Sequence, residues 1–267
     1  MDWDEMARPW LEAAPDLEVS FRDVFELLFA AARLEAGEKV LDVGCGTGPT
    51  LLAASEAVGG TGRVLGVDVA PPLVARAAER VPGNVDLVVA DAGSHAYESE
   101  AFDAVIANFG IMFFEDNAVA FRNLRKAVRR GGRLAATVWA TPDVNPWFSM
   151  PRRIVDEHVA DVPRPDPAGP GPMRFGDPSI LEDHLVNSGW KPEIRSVDVH
   201  LHPPGTAERV ADLHMKVTAG MMLKGVDVAD SELERIRKAI ADASRAYETE
   251  GFIRVPAKIH VVSAVAC

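Results

Sequence analysis

Three glycines at alternate positions follow a short apolar run: Val40-Leu41-Asp42-Val43-Gly44-Cys45-Gly46-Thr47-Gly48. Residues without a Cβ let a backbone turn tightly and approach a ligand closely. The helix-like stretch Thr50 to Val58 comes next, so unpaired N–H groups at its start face whatever the loop holds. A dinucleotide fingerprint needs a third glycine three residues after Gly46, where Pro49 stands; the frame from Gly46 and Gly48 ends on Leu51. The dinucleotide pattern fails, and the close spacing suits another nucleotide-like ligand. Two further acids close the next apolar runs, Asp68 in Gly66-Val67-Asp68 and Asp91 in Val89-Ala90-Asp91-Ala92. In an open parallel sheet, strand carboxyl ends line the ligand crevice. Blander readings are a tight turn for the glycines and plain helix caps for Asp68 and Asp91; the joint spacing favours a ligand.

Other reactive side chains say less. Cys45 has no basic partner near in sequence to activate its thiol. Cys45 and Cys267 are the only cysteines, so neither a disulfide framework nor a Cys-rich metal site is available. The seven histidines show no HExxH-type metal spacing, and no metal is expected. His95, just past Asp91, and His158 and His214 further along are the candidate general bases. Surface or packing roles compete for each.

The elements around these residues alternate. Residues 2 to 36 read as amphipathic helix, with Phe21, Phe25, Leu28 and Phe29 at helical spacing and Gly37 as a stop. Short apolar strands are expected at 39–43, 63–67, 85–89, 102–107 and 133–139, joined by four helix-containing crossovers, which argues for a parallel sheet covered on both faces. The segment DVPRPDPAGPGPMRFG at 161–176 is too rich in proline and glycine for helix or central strand and reads as a flap that could close over a ligand. Helices follow from Asp177, over 206–220 and over 231–247, where Ser231 and Glu234 form a capping-box pattern. Strands are expected at 194–201 and 258–266.

The chain has 267 residues and a net charge of −12. That balance weighs against nucleic acid and against acidic membrane surfaces, both of which select cationic patches. No apolar run approaches the ~18 residues of a membrane span, and the acidic start has no leader-like pattern. A soluble, reduced, cytoplasmic protein is expected, of unknown oligomeric state.

With these residues in view, the sequence resembles the class I S-adenosylmethionine-dependent methyltransferases. The matching features are Asp42 with the Gly44/Gly46/Gly48 loop, Asp68, Asp91, the block Phe102-Asp103-Ala104-Val105-Ile106, and the turn Arg130-Gly131-Gly132-Arg133-Leu134. Phe109 to Phe114 and Asn145-Pro146-Trp147 resemble the bacterial small-molecule, ubiquinone-biosynthesis-like (type 11) members. Relatives often carry Ser-Arg where Ala107-Asn108 stands here. The resemblance implies a Rossmann-like α/β doubly wound sheet of seven strands, order 3-2-1-4-5-7-6, with the last strand antiparallel. It implies a single domain over 1–267: a helical cap at 1–36, a cofactor-binding core at 38–140, and substrate-covering insertions at 141–176 and 202–250.

It also implies S-adenosylmethionine as cofactor, leaving S-adenosylhomocysteine as product. Asp42 and the Gly44, Cys45, Gly46, Gly48 loop would hold its amino-acid end, Asp68 and Val69 the ribose, Asp91 and Ala92 the adenine, and Asn108 and Phe109 would flank the methionine portion. The sulfonium is already an activated donor, so alignment and water exclusion carry most of the catalysis. The Asn/Asp-Pro-Pro-Tyr and Pro-Cys elements of amine- and cytosine-directed relatives are absent. A small-molecule acceptor remains, with Phe113, Trp139, Trp147 and Phe175 as candidate pocket residues. O-methylation of an apolar or aromatic metabolite is the favoured expectation. N- or C-methylation and a non-catalytic cofactor-binding protein stay open; an NAD(P) oxidoreductase is disfavoured by Pro49.

Overall fold

The computed structural model describes residues 3–267, and side chains from Ala7 onward; the first two residues of the expected helical segment 1–36 lie outside it. Two helices open the chain, α1 (Trp3–Ser20) and α2 (Arg22–Ala32). The expected single helix breaks at Phe21 and stops before Gly37, because Arg33 takes a left-handed conformation (φ +45°).

Seven strands form one sheet: β1 (Lys39–Val43), β2 (Arg63–Asp68), β3 (Val85–Val89), β4 (Phe102–Asn108), β5 (Val128–Trp139), β6 (Trp190–Leu201) and β7 (Val255–Ala266). Their spatial order is 3-2-1-4-5-7-6. The first five pair in parallel, and β7 runs antiparallel between β5 and β6. Chain direction reverses its sideways progress between β1 and β4, which puts a topological switch point, the usual site of a ligand crevice, at their carboxyl ends.

Side-chain alternation explains the two cores. Leu41, Val43, Val105, Ala107, Leu134 and Ala136 meet Phe121 and Leu124 of α5 (Asn117–Ala127) on one face. Val40, Ala104, Ile106 and Ala135 meet Leu28 and Ala32 of α2, and Leu51, Ala54 and Val58 of α3 (Pro49–Val58), on the other. Near-continuous apolar strands are what a doubly covered parallel sheet requires. The helix α4 (Pro71–Ala78) joins β2 to β3. Only three of the four expected crossovers carry a helix. Between β3 and β4 the chain turns on Asp91, whose carboxylate accepts from Gly93 N (2.9 Å) and Ser94 Oγ (2.7 Å), and no helix forms.

Five more helices sit around the strand ends: α6 (Pro146–His158) and α7 (Pro178–Val186) between β5 and β6, and α8 (Ala207–Val217), α9 (Ala219–Met222) and α10 (Asp230–Ser244) between β6 and β7. Met150, Ile154, Ala211, Ala219, Ile236 and Ile240 give α6, α8, α9 and α10 a small core of their own, while Leu181 and Leu185 of α7 join the main core. No helix among the described residues is long and apolar enough to cross a membrane.

The Ser231 capping box does not form. Ala229 is the N-cap of α10, without a side-chain bond, and Ser231 lies inside the helix. Asp116, by contrast, caps α5 by accepting from Val119 N at 2.9 Å. In urea unfolding, Ser231→Ala is therefore expected to shift stability by less than about 0.5 kcal/mol, whereas Asp116→Ala costs about 1 kcal/mol. Equal losses would contradict these cap assignments.

Candidate active site

The carboxyl ends of β1, β2 and β4 open into one cavity of about 2160 Å³. Single-ligand pockets occupy roughly 300–1,000 Å³, so this one has room for two molecules. Its floor begins where β1 ends. Gly44 has φ +72°, and a Cβ there would lie 2.9 Å from Gly110 Cα; a Cβ on Gly110 would run into Val43 O. The two loops therefore meet backbone to backbone, which only glycine permits. Gly44 N and Cys45 N donate to Val67 O (2.8 and 3.2 Å), and Gly46 N donates to Asp68 Oδ2 (2.8 Å). Beside Gly46, no heavy atom lies within 4 Å of where a Cβ would stand.

Asp68 is buried and also accepts from Ala70 N at 2.9 Å. Burial raises its pKa, while its bonds from Ala70 and Gly46 pull the other way. Each oxygen keeps capacity for a further donor. Val69, Asp91, Ala92, Asn108 and Phe109 line the same cavity. Thr137 Oγ1 donates to Asn108 Oδ1 at 2.7 Å. Phe109 holds a left-handed backbone (φ +64°) and stacks on Trp139, centroids 4.4 Å apart and planes 5° off parallel. A non-glycine residue at such a φ stores strain of order 1–3 kcal/mol, a pattern that clusters at ligand sites.

Asp42 departs from its expected place. It is fully buried, does not line the cavity, and accepts from the Thr50 hydroxyl beneath the glycine loop. Its other oxygen has no partner, and burial raises its pKa to about 7. Cys45 lines the cavity, but burial first, then the Asp42 and Asp68 charges, drive its thiol pKa far upward, so no reactive thiolate forms.

One wall of the cavity is aromatic. Phe21 meets Phe109, Trp139 and Trp147 edge-on at 5.6, 5.6 and 6.0 Å, and Phe148 meets Trp139 at 5.0 Å. Phe113, Trp139 and Trp147 line the cavity, together with Met173 and Met221. Phe175 does not; it is fully buried against Phe121 and His184. The proline-rich segment 163–172 lines the outer wall, tied down by Gly171 N donating to Met112 O at 3.0 Å.

None of the three candidate histidines lines the cavity. His95 packs edge-on against Tyr97, and His158 Nδ1 contacts Glu232 Oε1 at 2.6 Å between α6 and α10. His214 is fully buried behind Trp147, its Nδ1 2.8 Å from Thr218 Oγ1, and burial lowers its pKa to about 3. Sequence reasoning missed the contribution of the first helices. Trp10, Leu17, Glu18, Phe21 and Phe25 line the cavity. Glu18 is clamped by Arg80 (2.6 Å) and Thr47 Oγ1 (3.0 Å), joining α1 to the glycine loop. The Phe21/Phe25 stripe was the available signal, but a helical stripe reads equally as packing.

A family described as methyltransferase domain matches residues 40–132. The chain is 32% identical to nocamycin O-methyltransferase of Saccharothrix syringae over 198 residues, 69% of this chain and 70% of that protein. It is 33% identical to aklanonic acid methyltransferase of Streptomyces sp. (strain C5) over 141 residues; this covers 49% of this chain and 64% of that relative, just under two thirds of its length. Among solved structures, Haemonchus contortus phosphoethanolamine N-methyltransferase 2, in complex with phosphomonomethylethanolamine and S-adenosylhomocysteine, shares the fold at a TM-score of 0.60 and 15% identity, covering 100% of this chain and 60% of that one.

Asp42 gives the site a pH signature. A carboxyl whose pKa rises from 3.8 unfolded to about 7 folded makes the native state bind the extra proton. Stability is then fully supported below the unfolded value and lost as pH rises toward 7. Asp42→Asn is expected to flatten this loss, gaining up to about 4 kcal/mol on wild type between pH 4 and pH 8. Urea midpoints across that range check it; parallel pH profiles for the two proteins would contradict it.

Proposed function

The chain belongs to the class I S-adenosylmethionine-dependent methyltransferases, and on that premise we propose that it methylates an oxygen of an apolar, aromatic metabolite. S-adenosylmethionine is the methyl donor, and the acceptor is a small molecule. One observation carries the finer reading. A single cavity is lined both by the glycine loop with the Asp68 carboxylate and by stacked aromatic rings.

The residues fit the cofactor's chemistry. The open space beside Gly46 admits its methionine end along Gly44 to Gly48. Asp68 keeps an acceptor site on each oxygen for the two ribose hydroxyls, with Val69 alongside. Asp91 and the Ala92 N–H face the adenine edge, and Asn108 and Phe109 flank the methionine portion. Asp42 acts from below, holding Thr50 and the first turn of α3 in place. When bound, the cofactor supplies an activated methyl on a positive sulfonium; the acidic floor favours that charge.

Phe21, Phe113, Trp139, Trp147 and Phe148 would grip a flat acceptor and exclude water, while residues 141–176 and 202–250 cover it. Alignment of this kind is worth ~7–11 kcal/mol of barrier. Because His95, His158 and His214 stand away from the cavity, none of them serves as the base. An acceptor oxygen that is already acidic, such as an enol or phenol, needs no strong base.

Incubating the protein with methyl-labelled cofactor and a host metabolite extract, then identifying the labelled product, tests the acceptor class; a labelled amine or aliphatic acceptor would overturn it. Asp68→Asn is expected to weaken S-adenosylhomocysteine binding by about 10- to 100-fold, since each charge-assisted bond is worth ~1.5–3 kcal/mol. Trp139→Ala is expected to raise the acceptor KM while cofactor affinity holds. The reverse pattern would exchange the two assignments.

A further inference from the structure

We infer that Arg174 recognises a carboxylate carried by the methyl acceptor; the inference rests on the acceptor reading above. Among the described residues, five arginines line the cavity: Arg22, Arg152, Arg153, Arg164 and Arg174. Four are ion-paired. Arg22 meets Asp23 at 3.4 Å, Arg152 and Arg164 share Asp156 at 2.6 and 2.7 Å, and Arg153 meets Glu157 at 2.8 Å. Arg174 forms no ion pair among the described residues. Its guanidinium donates instead to the main-chain carbonyls of Phe114 and Glu115.

Those two carbonyls fix the plane of the guanidinium and use two of its five N–H donors. Neither carbonyl neutralises its charge. Burial lowers the Arg174 pKa, and the Glu115 and Asp116 charges oppose that shift; Asp116 is already engaged in capping α5. A half-buried cation held rigid at a cavity wall is organised for an anion that arrives with the ligand.

The surroundings choose the anion. Phe113, Phe114, Met112 and Met173 line the cavity nearby, so the ligand is apolar around its charged group. One planar guanidinium matches one carboxylate bidentately, and a singly charged carboxylate meets less repulsion from the Glu115 and Asp116 charges than a phosphate dianion would. Arg174 also lies at the root of the proline-rich segment, two residues before Gly176, whose carbonyl contacts His260 Nε2 at 3.0 Å. A plain tether for that segment is the rival role, and the experiment separates the two.

The protein, saturated with S-adenosylhomocysteine, is titrated calorimetrically with 1-hydroxy-2-naphthoate and with its methyl ester, a flat acid and its neutral counterpart. Wild type is expected to bind the acid about tenfold tighter or better, the usual worth of one desolvated charged pair. Arg174→Gln is expected to erase that preference by weakening the acid alone, and Arg174→Lys to keep part of it, with melting temperature and S-adenosylhomocysteine affinity unchanged in both. Equal binding of acid and ester by wild type overturns the inference alone. So does an Arg174→Gln variant that weakens both probes alike, as a tether would. Failure of both probes to bind overturns it together with the aromatic-acceptor reading.

Discussion

The site depends on one steric constraint, the backbone contact between the end of β1 and the loop after β4. Gly44 and Gly110 touch so closely that a side chain on either would push the strands' exits apart. Beside that contact, Gly44 N and Cys45 N donate to Val67 O, and Gly46 N donates to Asp68. Hydrogen bonds thus join the ends of β1 and β2, and the glycine contact adds the end of β4. The same contact sets Phe109 into its left-handed turn, from which its ring stacks flat on Trp139. Cofactor floor and aromatic wall are two sides of one junction.

Charge is arranged around that junction rather than spread at random. Asp42 and Asp68 lie buried beneath and within the glycine loop, which is unfavourable for two carboxylates alone and favourable beside a cationic ligand. Glu18 of α1 bonds both Arg80 and Thr47, so the first helix is fastened to the loop it overlies. The pair is about a quarter exposed on each side, so its value is in geometry more than in free energy. A net charge of −12 weighs against polyanion partners. In the structure, part of that acidity sits where a sulfonium and an ammonium would be held.

Much of the fold was legible because β-strand alternation and the glycine–acid spacing are properties of residue type and order. Strands β1 to β5 follow from such patterns, and the order 3-2-1-4-5-7-6 with an antiparallel β7 follows from the family resemblance those residues carry. What sequence cannot display is direction and depth. Phe113 and Phe175 are equivalent as letters, yet one lines the cavity and the other is fully buried against Phe121. His214 is an ordinary histidine in sequence, but the packing of α8 behind Trp147 leaves it buried and neutral. Ser231 with Glu234 fits a capping pattern, but α10 begins at Asp230 with Ala229 as its N-cap, so Ser231 is already inside the helix. Phe21 and Phe25 carry a helical stripe that faces the cavity as well as the core, and periodicity does not distinguish the two. Arg174 stands out only when its neighbours' partners are known.

The most direct test of the junction is the affinity of Gly110→Ala for S-adenosylhomocysteine, measured by calorimetry with far-ultraviolet circular dichroism as a control for the sheet. A shift of about 1 Å between the two loops is expected to weaken binding by about tenfold or more, the loss of one charge-assisted hydrogen bond worth ~1.5–3 kcal/mol, while the dichroism is retained. Wild-type affinity in the folded variant would contradict the claim that this backbone contact builds the site.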